Sequence, residues 1–336
     1  MIGPAWVGDM VLSQPLLAQL VQQDGAVVDV LAPAWSRPVL QRMPEVSQIW
    51  EMPVGHGRFG LAERWRLGVA LRSQSYDQAI VLPNSWKSAL IPWVAQIPWR
   101  TGWRGEWRYG LLNDLRVLDP LVYPRMVDRF MALAVAIGDP LPVCPPPQLR
   151  IRADQVERAL AVHALQRTRP VVALCPGAEF GPSKQWPPAY FAALSQALIE
   201  RGWVVWILGS ANDRQVAATI ETALSQAARE FCHNLCGLTT LEQVMDLLQC
   251  PDLVVSNDSG LMHVAAAVAP ERRLWALYGS TSPVFTPPLA KAARIFSKPL
   301  ACSPCFARTC PLKHHACMRD LLPTDLLQRM HQEGDL

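Results

Sequence analysis

The chain has 336 residues, of which 50% are hydrophobic and 18% are charged. This composition excludes a disordered chain and a coiled coil, and the length predicts a globular protein of about two domains. The formal net charge is only +3, which is too small to indicate a nucleic acid partner. Any anionic ligand must therefore be bound by a local group of residues.

Neither a membrane-spanning segment nor an export signal is predicted. An uninterrupted apolar run of about eighteen residues, which a spanning helix needs, does not occur. The N-terminus lacks a basic segment, and Asp9 falls where the apolar run of an export signal would be. We therefore expect a cytoplasmic protein that is able to contact a membrane surface from the cytoplasmic side.

Short runs rich in valine, isoleucine and leucine alternate with helical patterns along the chain. The predicted strands lie near residues 26–31, 47–52, 76–82, 170–175, 203–209, 251–256 and 273–278. The predicted helices lie near residues 12–23, 61–74, 125–137, 154–167, 188–200, 213–228, 239–249 and 260–268, with a last one near 322–330. This alternation is typical of an α/β fold with mostly parallel sheets.

A proline-rich stretch divides the chain in two. Residues 138–150 contain Pro140, Pro142 and the run Pro145, Pro146 and Pro147, which fit neither a helix interior nor a sheet and indicate a stiff linker. We predict two similar α/β domains, residues 1–145 and 151–336, whose ligand-binding sheet edges face a central cleft. The last helix is compatible with packing on either domain.

The first candidate site is the loop after a predicted buried strand, with the sequence CPGAEFGPSKQWP at residues 175–187. Ser183 and Lys184 lie just before the helix that follows. A helix N-terminus presents unpaired N–H groups and partial positive charge, so this loop suits an anion such as a phosphate. An ordinary glycine-rich loop with a solvated lysine is the alternative.

A second strand-to-helix junction has the sequence SNDSGLMHVAAA at residues 256–267. Asp258 or Ser259 is suited to cap the helix, and the N–H groups from Ser259 to Leu261 point out of its N-terminus. His263 lies one turn further on; a capped helix with a buried histidine is the alternative. Two such helix ends in one domain favour a diphosphate site.

Near the start of the chain, GPAWVGDMVLSQP covers residues 3–15. Asp9 follows Gly8 at a predicted helix start, on the ligand-binding edge of the first domain. A carboxylate there is able to accept a proton from a substrate hydroxyl. A plain helix N-cap is the alternative.

The motif GHGRFG at residues 55–60 matches a dinucleotide-binding pattern through Gly55, Gly57 and Gly60, with Asp77 about twenty residues further on. A nicotinamide oxidoreductase is therefore an alternative. The dinucleotide motif belongs to the first strand-helix turn of its domain, however, and here Pro53 breaks the junction.

Residues 84–113 combine Lys87, Arg100, Arg104 and Arg108 with five tryptophans. Aromatic rings mixed with cations suit a phosphorylated amphiphile at a membrane surface, or single-stranded nucleic acid. We expect about half of these tryptophans to belong to the core.

Four cysteines near the C-terminus, Cys302, Cys305, Cys310 and Cys317, surround His314 and His315. They are compatible with a structural zinc ion, but their spacing is shorter than that of ordinary zinc sites. We therefore favour reduced thiols and predict no metal. The sequence also lacks an Asp-x-Asp motif, which metal-dependent glycosyltransferases use for the donor diphosphate.

Taken together, these motifs resemble those of the ADP-heptose:lipopolysaccharide heptosyltransferases. The resemblance covers nearly the whole chain through GPAWVGDM, LPNSWKSALIP, RTGWRGEWRYGLLND, CPGAEFGPSKQWP, SNDSGLMHVAAA, YGSTSPVFTPP and CPLKHHACM. It implies a GT-B fold, with the donor bound in the C-terminal Rossmann-like domain and the acceptor in the N-terminal one. It also implies metal-independent, inverting transfer of L-glycero-D-manno-heptose from ADP-heptose to the first inner-core heptose of heptosyl-Kdo2-lipid A.

The resemblance assigns roles to individual residues. Asp9 is the expected general base, and Lys184 the residue that stabilises the leaving diphosphate. The expected donor site comprises Ser183, Lys184, Gly209, Ser210, Asp258, Ser259, Gly260, Leu261 and His263. The expected acceptor site comprises Gly8, Asn84, Lys87, Arg104 and Arg108.

The implied partners are ADP-heptose, which is the only small molecule required, and a lipid-linked acceptor at the inner membrane. Nucleic acid is not expected. The acceptor of heptosyltransferase I, an inactive GT-B relative and the nicotinamide oxidoreductase remain alternatives.

The chain departs from the family at its start. The family opens with a full β-strand, whereas only Met1 and Ile2 precede Gly3 here. Either the start lies several residues further upstream or the domain tolerates a shortened strand. We expect about five apolar residues added upstream to raise the melting temperature.

Overall fold

The computed structural model describes residues 1–55 and 58–336. The chain forms two compact units, Met1–Pro147 and Gln148–Leu336. The proline-rich stretch around the boundary has neither helix nor strand from residue 140 to 152. Within the described part of the chain, no helix has both the length and the apolar character needed to cross a bilayer.

The first unit contains α1 (Val7–Leu12), α2 (Gln14–Asp24), β1 (Val28–Ala32), α3 (Arg37–Leu40), β2 (Val46–Glu51), α4 (Leu61–Leu71), β3 (Gln78–Val81), α5 (Trp86–Val94), β4 (Trp99–Trp103), β5 (Asp114–Arg116) and α6 (Met126–Met131). Strands β1 and β2 pair in parallel, as do β3, β4 and β5 in that order.

Ile2 connects these two groups of strands. It forms parallel bridges with Leu31 of β1 on one side and Val81 of β3 on the other. The backbone N–H of Ile2 donates to Ile80 O, and the N–H of Gly3 donates to Leu31 O. The first residues therefore occupy the central position of the unit, between β1 and β3.

The second unit contains α7 (Ala153–Val162), β6 (Val171–Cys175), α8 (Pro188–Ile199), β7 (Val204–Ile207), α9 (Arg214–Thr222), α10 (Gln226–Arg229), β8 (Cys232–Asn234), α11 (Leu241–Leu247), β9 (Leu253–Asn257), α12 (Gly260–Val268), β10 (Arg273–Tyr278), β11 (Ala293–Ser297), α13 (Ala316–Arg319) and α14 (Pro323–Gln332). Its six strands form one parallel sheet in the order β11-β10-β9-β6-β7-β8.

The central strands of this sheet are fully buried. Every residue of β6, β7 and β9 is buried, as expected of parallel strands covered by helices on both faces. Trp186 is buried in the same core, and its Nε1 donates to Leu321 O at 2.7 Å. Helix α14 packs against α8, so the last helix belongs to the second unit.

The predicted α/β class with mostly parallel sheets is confirmed. The seven predicted strands and most of the predicted helices are present within a few residues. The helix predicted at 125–137 ends at Met131, the one predicted at 154–167 ends at Val162, and residues 213–228 form two helices. Helix α1 precedes the first predicted helix. Strands β4, β5, β8 and β11 and helices α3, α5 and α13 were not predicted. Helix α5 contains Pro92 in its interior, a position at which proline disfavours a helix.

Candidate active site

The centre of the candidate site is an ion pair between Lys184 and Asp258. Lys184 ends a short 3-10 turn between β6 and α8, and Asp258 directly follows β9. Strands β6 and β9 are neighbours, with Cys175 opposite Ser256, so both residues lie at the carboxyl edge of the sheet. The Nζ of Lys184 lies 2.7 Å from Oδ2 of Asp258.

The surrounding residues hold this pair in place. The Asp258 side chain is only 3% exposed and that of Lys184 14%. The hydroxyl of Thr281, just after β10, donates to the same Asp258 oxygen, and Lys184 Nζ lies 5.0 Å from the ring centroid of Phe180. Residues that follow three neighbouring strands, β6, β9 and β10, therefore hold the Lys184 ammonium group in place. This group remains partly accessible to solvent.

The N-terminus of α12 lies beside this pair, but its predicted side-chain cap is absent. Ser259 is the N-cap residue and makes no side-chain capping hydrogen bond; its hydroxyl lies 3.3 Å from the Ser256 hydroxyl. Asp258 accepts instead from Lys184 and Thr281. The first N–H groups of this nine-residue helix, including those of Gly260 and Leu261, thus suit an anion.

His263 is buried within the first turns of α12. Burial is the main cause that lowers the pKa of His263 to about 4. The positive charge of Lys184 also lowers this pKa, whereas the negative charge of Asp258 raises it. The imidazole is therefore neutral at pH 7. The positive charge that faces Asp258 is therefore that of Lys184.

The hydroxyls of Ser183 and Ser210 have partners within the protein. Ser183 is buried, donates to Ala307 O and accepts from Ser280 Oγ at 3.0 Å. Ser210 follows Gly209 after β7 and forms a capping box with Asp213. Both serines lie at the predicted edge, but their hydroxyls support the loops.

In the first unit, Asp9 is the third residue of α1, and Trp6 is the N-cap residue. The plain N-cap alternative for Asp9 is therefore wrong. Its side chain is half-buried, and Gly8 beside it is buried. Because α1 directly follows the Ile2 bridge, Asp9 lies at the carboxyl edge of the first unit's strands.

The predicted acceptor residues lie after β3 and β4, at that same edge. Asn84 and Arg104 are exposed, and Lys87 is half-buried in the first turn of α5. Arg108 is fully buried; its guanidinium donates to Pro83 O at 2.6 Å and to Asn84 Oδ1 at 3.2 Å. Burial lowers the Arg108 pKa to about 10. Arg108 therefore positions the loops and does not present its charge to solvent.

The five tryptophans of residues 84–113 have different environments. Trp103 is buried, Trp86 is half-buried, and Trp93, Trp99 and Trp107 are exposed. More of these rings face solvent than the sequence predicts.

The four C-terminal cysteines line one small cavity together with His314 and His315. The N–H of His315 donates to Cys310 Sγ, which lowers the pKa of that thiol, whereas burial raises the pKa of Cys317. Among the described residues, no three His, Cys, Asp or Glu side chains are placed to hold a metal ion together.

The motif of Gly55, Gly57 and Gly60 includes one residue, Gly57, that lies outside the described residues. Gly60 is the N-cap of α4 at φ +56°, where a Cβ atom would lie 2.5 Å from a Val54 methyl group. Conformation and close packing therefore account for this glycine without a ligand.

Comparisons with known proteins agree on one family. The sequence model of glycosyltransferase family 9 (heptosyltransferase) matches residues 64–316. Lipopolysaccharide heptosyltransferase 2 of Salmonella typhimurium is 46% identical to this chain over 98% of this chain and 96% of that protein. Lipooligosaccharide heptosyltransferase 2 of Haemophilus influenzae is 50% identical over 88% and 86%, respectively. The solved structure of E. coli ADP-heptose LPS heptosyltransferase II has a TM-score of 0.88 at 43% identity, covering 98% of this chain and 96% of that one.

The fold and these relatives define an enzyme of the glycosyltransferase class with a GT-B fold. The chain belongs to glycosyltransferase family 9, the heptosyltransferases. The resemblance indicated by the sequence motifs is thereby confirmed, and the oxidoreductase alternative loses its basis.

Proposed function

We propose that the enzyme transfers L-glycero-D-manno-heptose from ADP-heptose to the first inner-core heptose of heptosyl-Kdo2-lipid A. The Lys184–Asp258 pair beside the N-terminus of α12 carries this proposal, because a partly accessible ammonium next to a helix N-terminus suits a diphosphate. Relatives named heptosyltransferase 2, at 46% and 50% identity, support the choice of donor and acceptor.

On the donor side, Lys184 and the first N–H groups of α12 bind the diphosphate of ADP-heptose. When the bond between the anomeric carbon and the diphosphate breaks, negative charge grows on the departing ADP. A fixed ammonium group and a helix N-terminus stabilise that charge. ADP-heptose is then the only small molecule that the proposed reaction needs.

Asp258 keeps the Lys184 ammonium in place before the donor binds. Its second partner, the Thr281 hydroxyl, fixes the carboxylate in turn. The neutral His263 adds no charge to the pair. In this proposal Lys184 contacts the diphosphate, while Asp258 is a positioning residue.

On the acceptor side, Asp9 accepts the proton of the acceptor hydroxyl. The hydroxyl oxygen forms the new bond to the anomeric carbon from the face opposite ADP, and ADP leaves with the electron pair of the broken bond. The configuration at that carbon is inverted. Asn84, Lys87 and Arg104 bind the acceptor, and Arg108 positions the loops that carry Asn84 and Arg104.

We further propose that the enzyme works as a peripheral protein on the cytoplasmic face of the inner membrane. Helix α4 presents Leu61, Trp65 and Val69, spaced four residues apart, as one exposed apolar stripe. Trp93 of α5 extends the stripe, with its ring centroid 6.3 Å from that of Trp65. Arg58 and Arg66 are exposed nearby, and such a combination suits an anionic lipid surface.

Mass spectrometry of the acceptor tests the proposed reaction. The purified enzyme is incubated with ADP-heptose and, in separate reactions, Kdo2-lipid A or heptosyl-Kdo2-lipid A. We expect only the heptosylated acceptor to gain one heptose. Modification of Kdo2-lipid A alone would instead establish the acceptor of heptosyltransferase I, and no modification of either would contradict the proposal.

A further inference from the structure

The loop of residues 104–110 is held rigidly at the carboxyl end of β4. Gly105 packs against the loop that precedes α5, so closely that a Cβ atom would clash with the carbonyl oxygen of Asn84. The N–H of Glu106 donates to the same oxygen at 3.1 Å, and the Glu106 carboxylate accepts from the N–H of Trp86 at 2.8 Å. The backbone path of this loop is therefore fixed.

The buried guanidinium of Arg108 holds the loop from below. It donates to Pro83 O, Asn84 Oδ1 and Trp103 O. Burying this charged side chain costs free energy, because it is removed from water. Its contacts nevertheless fix the conformation of the residues on either side of it.

The residues on either side of Arg108 are two exposed aromatic residues, Trp107 and Tyr109. Trp107 is 84% exposed and Tyr109 is 62% exposed. Their ring centroids are 6.3 Å apart, and the rings meet edge to face at 71°. Exposed aromatic side chains on a fixed backbone form a contact surface at low entropic cost, because few rotatable bonds must be immobilised.

We propose that Trp107 and Tyr109 form a stacking surface for a sugar ring of the acceptor. The loop lies at the carboxyl edge of β3 and β4, beside the acceptor residues Asn84 and Arg104. Sugar rings expose C–H groups on one face, which pack on aromatic rings. The cationic Arg104 next to this surface matches an acidic sugar. This inference rests on the proposed function and assigns a specificity surface to its acceptor site.

The test uses an acceptor without acyl chains, the heptosyl-Kdo2 oligosaccharide, so that lipid contacts play no part. We expect Trp107→Ala to raise the KM for this oligosaccharide about tenfold, with kcat and the KM for ADP-heptose unchanged. Trp107→Phe, which keeps an aromatic ring, is expected to have a KM much closer to that of the wild type. Trp99→Ala is the matched control, because Trp99 is 58% exposed at the opposite end of β4, and it is expected to behave as wild type.

Thermal melts check that each variant is folded, and calorimetry measures oligosaccharide binding directly. An unchanged KM and an unchanged dissociation constant in Trp107→Ala would overturn the inference. So would a defect seen only with the acylated acceptor in vesicles, which would assign these rings to lipid. If the wild type binds the oligosaccharide through Trp107 but transfers no heptose, the proposed function fails while the stacking surface stands.

Discussion

Lys184 and Asp258 form a hydrogen-bonded ion pair at 2.7 Å although 74 positions separate them in the chain. The parallel pairing of β6 and β9 brings them together, because it places the residues that follow each strand at one edge. The pair leaves a cation partly accessible beside a helix N-terminus.

Lys184→Ala is expected to weaken ADP binding at least about tenfold, because it removes a charge-assisted hydrogen bond to the diphosphate. Isothermal titration calorimetry with ADP measures this loss. Lys291→Ala serves as the control, since Lys291 is a surface lysine of the same unit, paired with Glu271 at 3.3 Å. Equal ADP affinity in wild type and Lys184→Ala would argue against a phosphate role.

The buried His263 is expected to make the folded state sensitive to acid. Its pKa of about 4 in the folded protein lies below the ordinary value of 6.5, so the unfolded chain takes up this proton first. The resulting stability is fully present above about pH 6.5 and is lost as the pH falls towards 4, by up to about 3 kcal/mol.

Urea denaturation of wild type and His263→Asn at pH 7.5 and pH 4.5 measures this contribution. Other titrating groups are common to both proteins, so the difference between them isolates the histidine. We expect the variant to lose less stability on acidification. The same loss in both proteins would exclude His263 as the source.

The exposed stripe on α4 is expected to mediate salt-sensitive binding to anionic vesicles. Flotation with vesicles of phosphatidylglycerol and phosphatidylethanolamine at low and high salt measures this binding. Trp65→Ser should reduce it, whereas Val162→Ser, which replaces an exposed apolar residue of the second unit, should not. Absence of flotation at low salt would refute the proposed membrane contact.

Much of the architecture could be predicted from the sequence, because the buried parallel strands are long apolar runs. The rule that parallel strands end at one edge also predicts that Lys184 and Asp258 lie near each other. Strands β4 and β5 were not predicted because they are short and contain polar or glycine residues. Helix α5 has Pro92 in its interior, where proline disfavours a helix.

The partners of individual side chains were harder to predict. The Ser183 hydroxyl forms hydrogen bonds with Ala307 O and Ser280 Oγ, and both residues are more than ninety positions away in the chain. Arg108 is buried because loops after β3 and β4 close over it. Contacts of this kind depend on how distant loops pack, and neither spacing nor composition reports that.

The proposed base gives the most direct test of the whole account. ADP release from ADP-heptose is measured with and without heptosyl-Kdo2-lipid A, for wild type and for a folded Asp9→Ala variant. We predict acceptor-dependent release by wild type and a turnover lower by about 10² to 10⁴ in Asp9→Ala, as expected for loss of general-base catalysis. Turnover near that of wild type in Asp9→Ala would contradict the assignment.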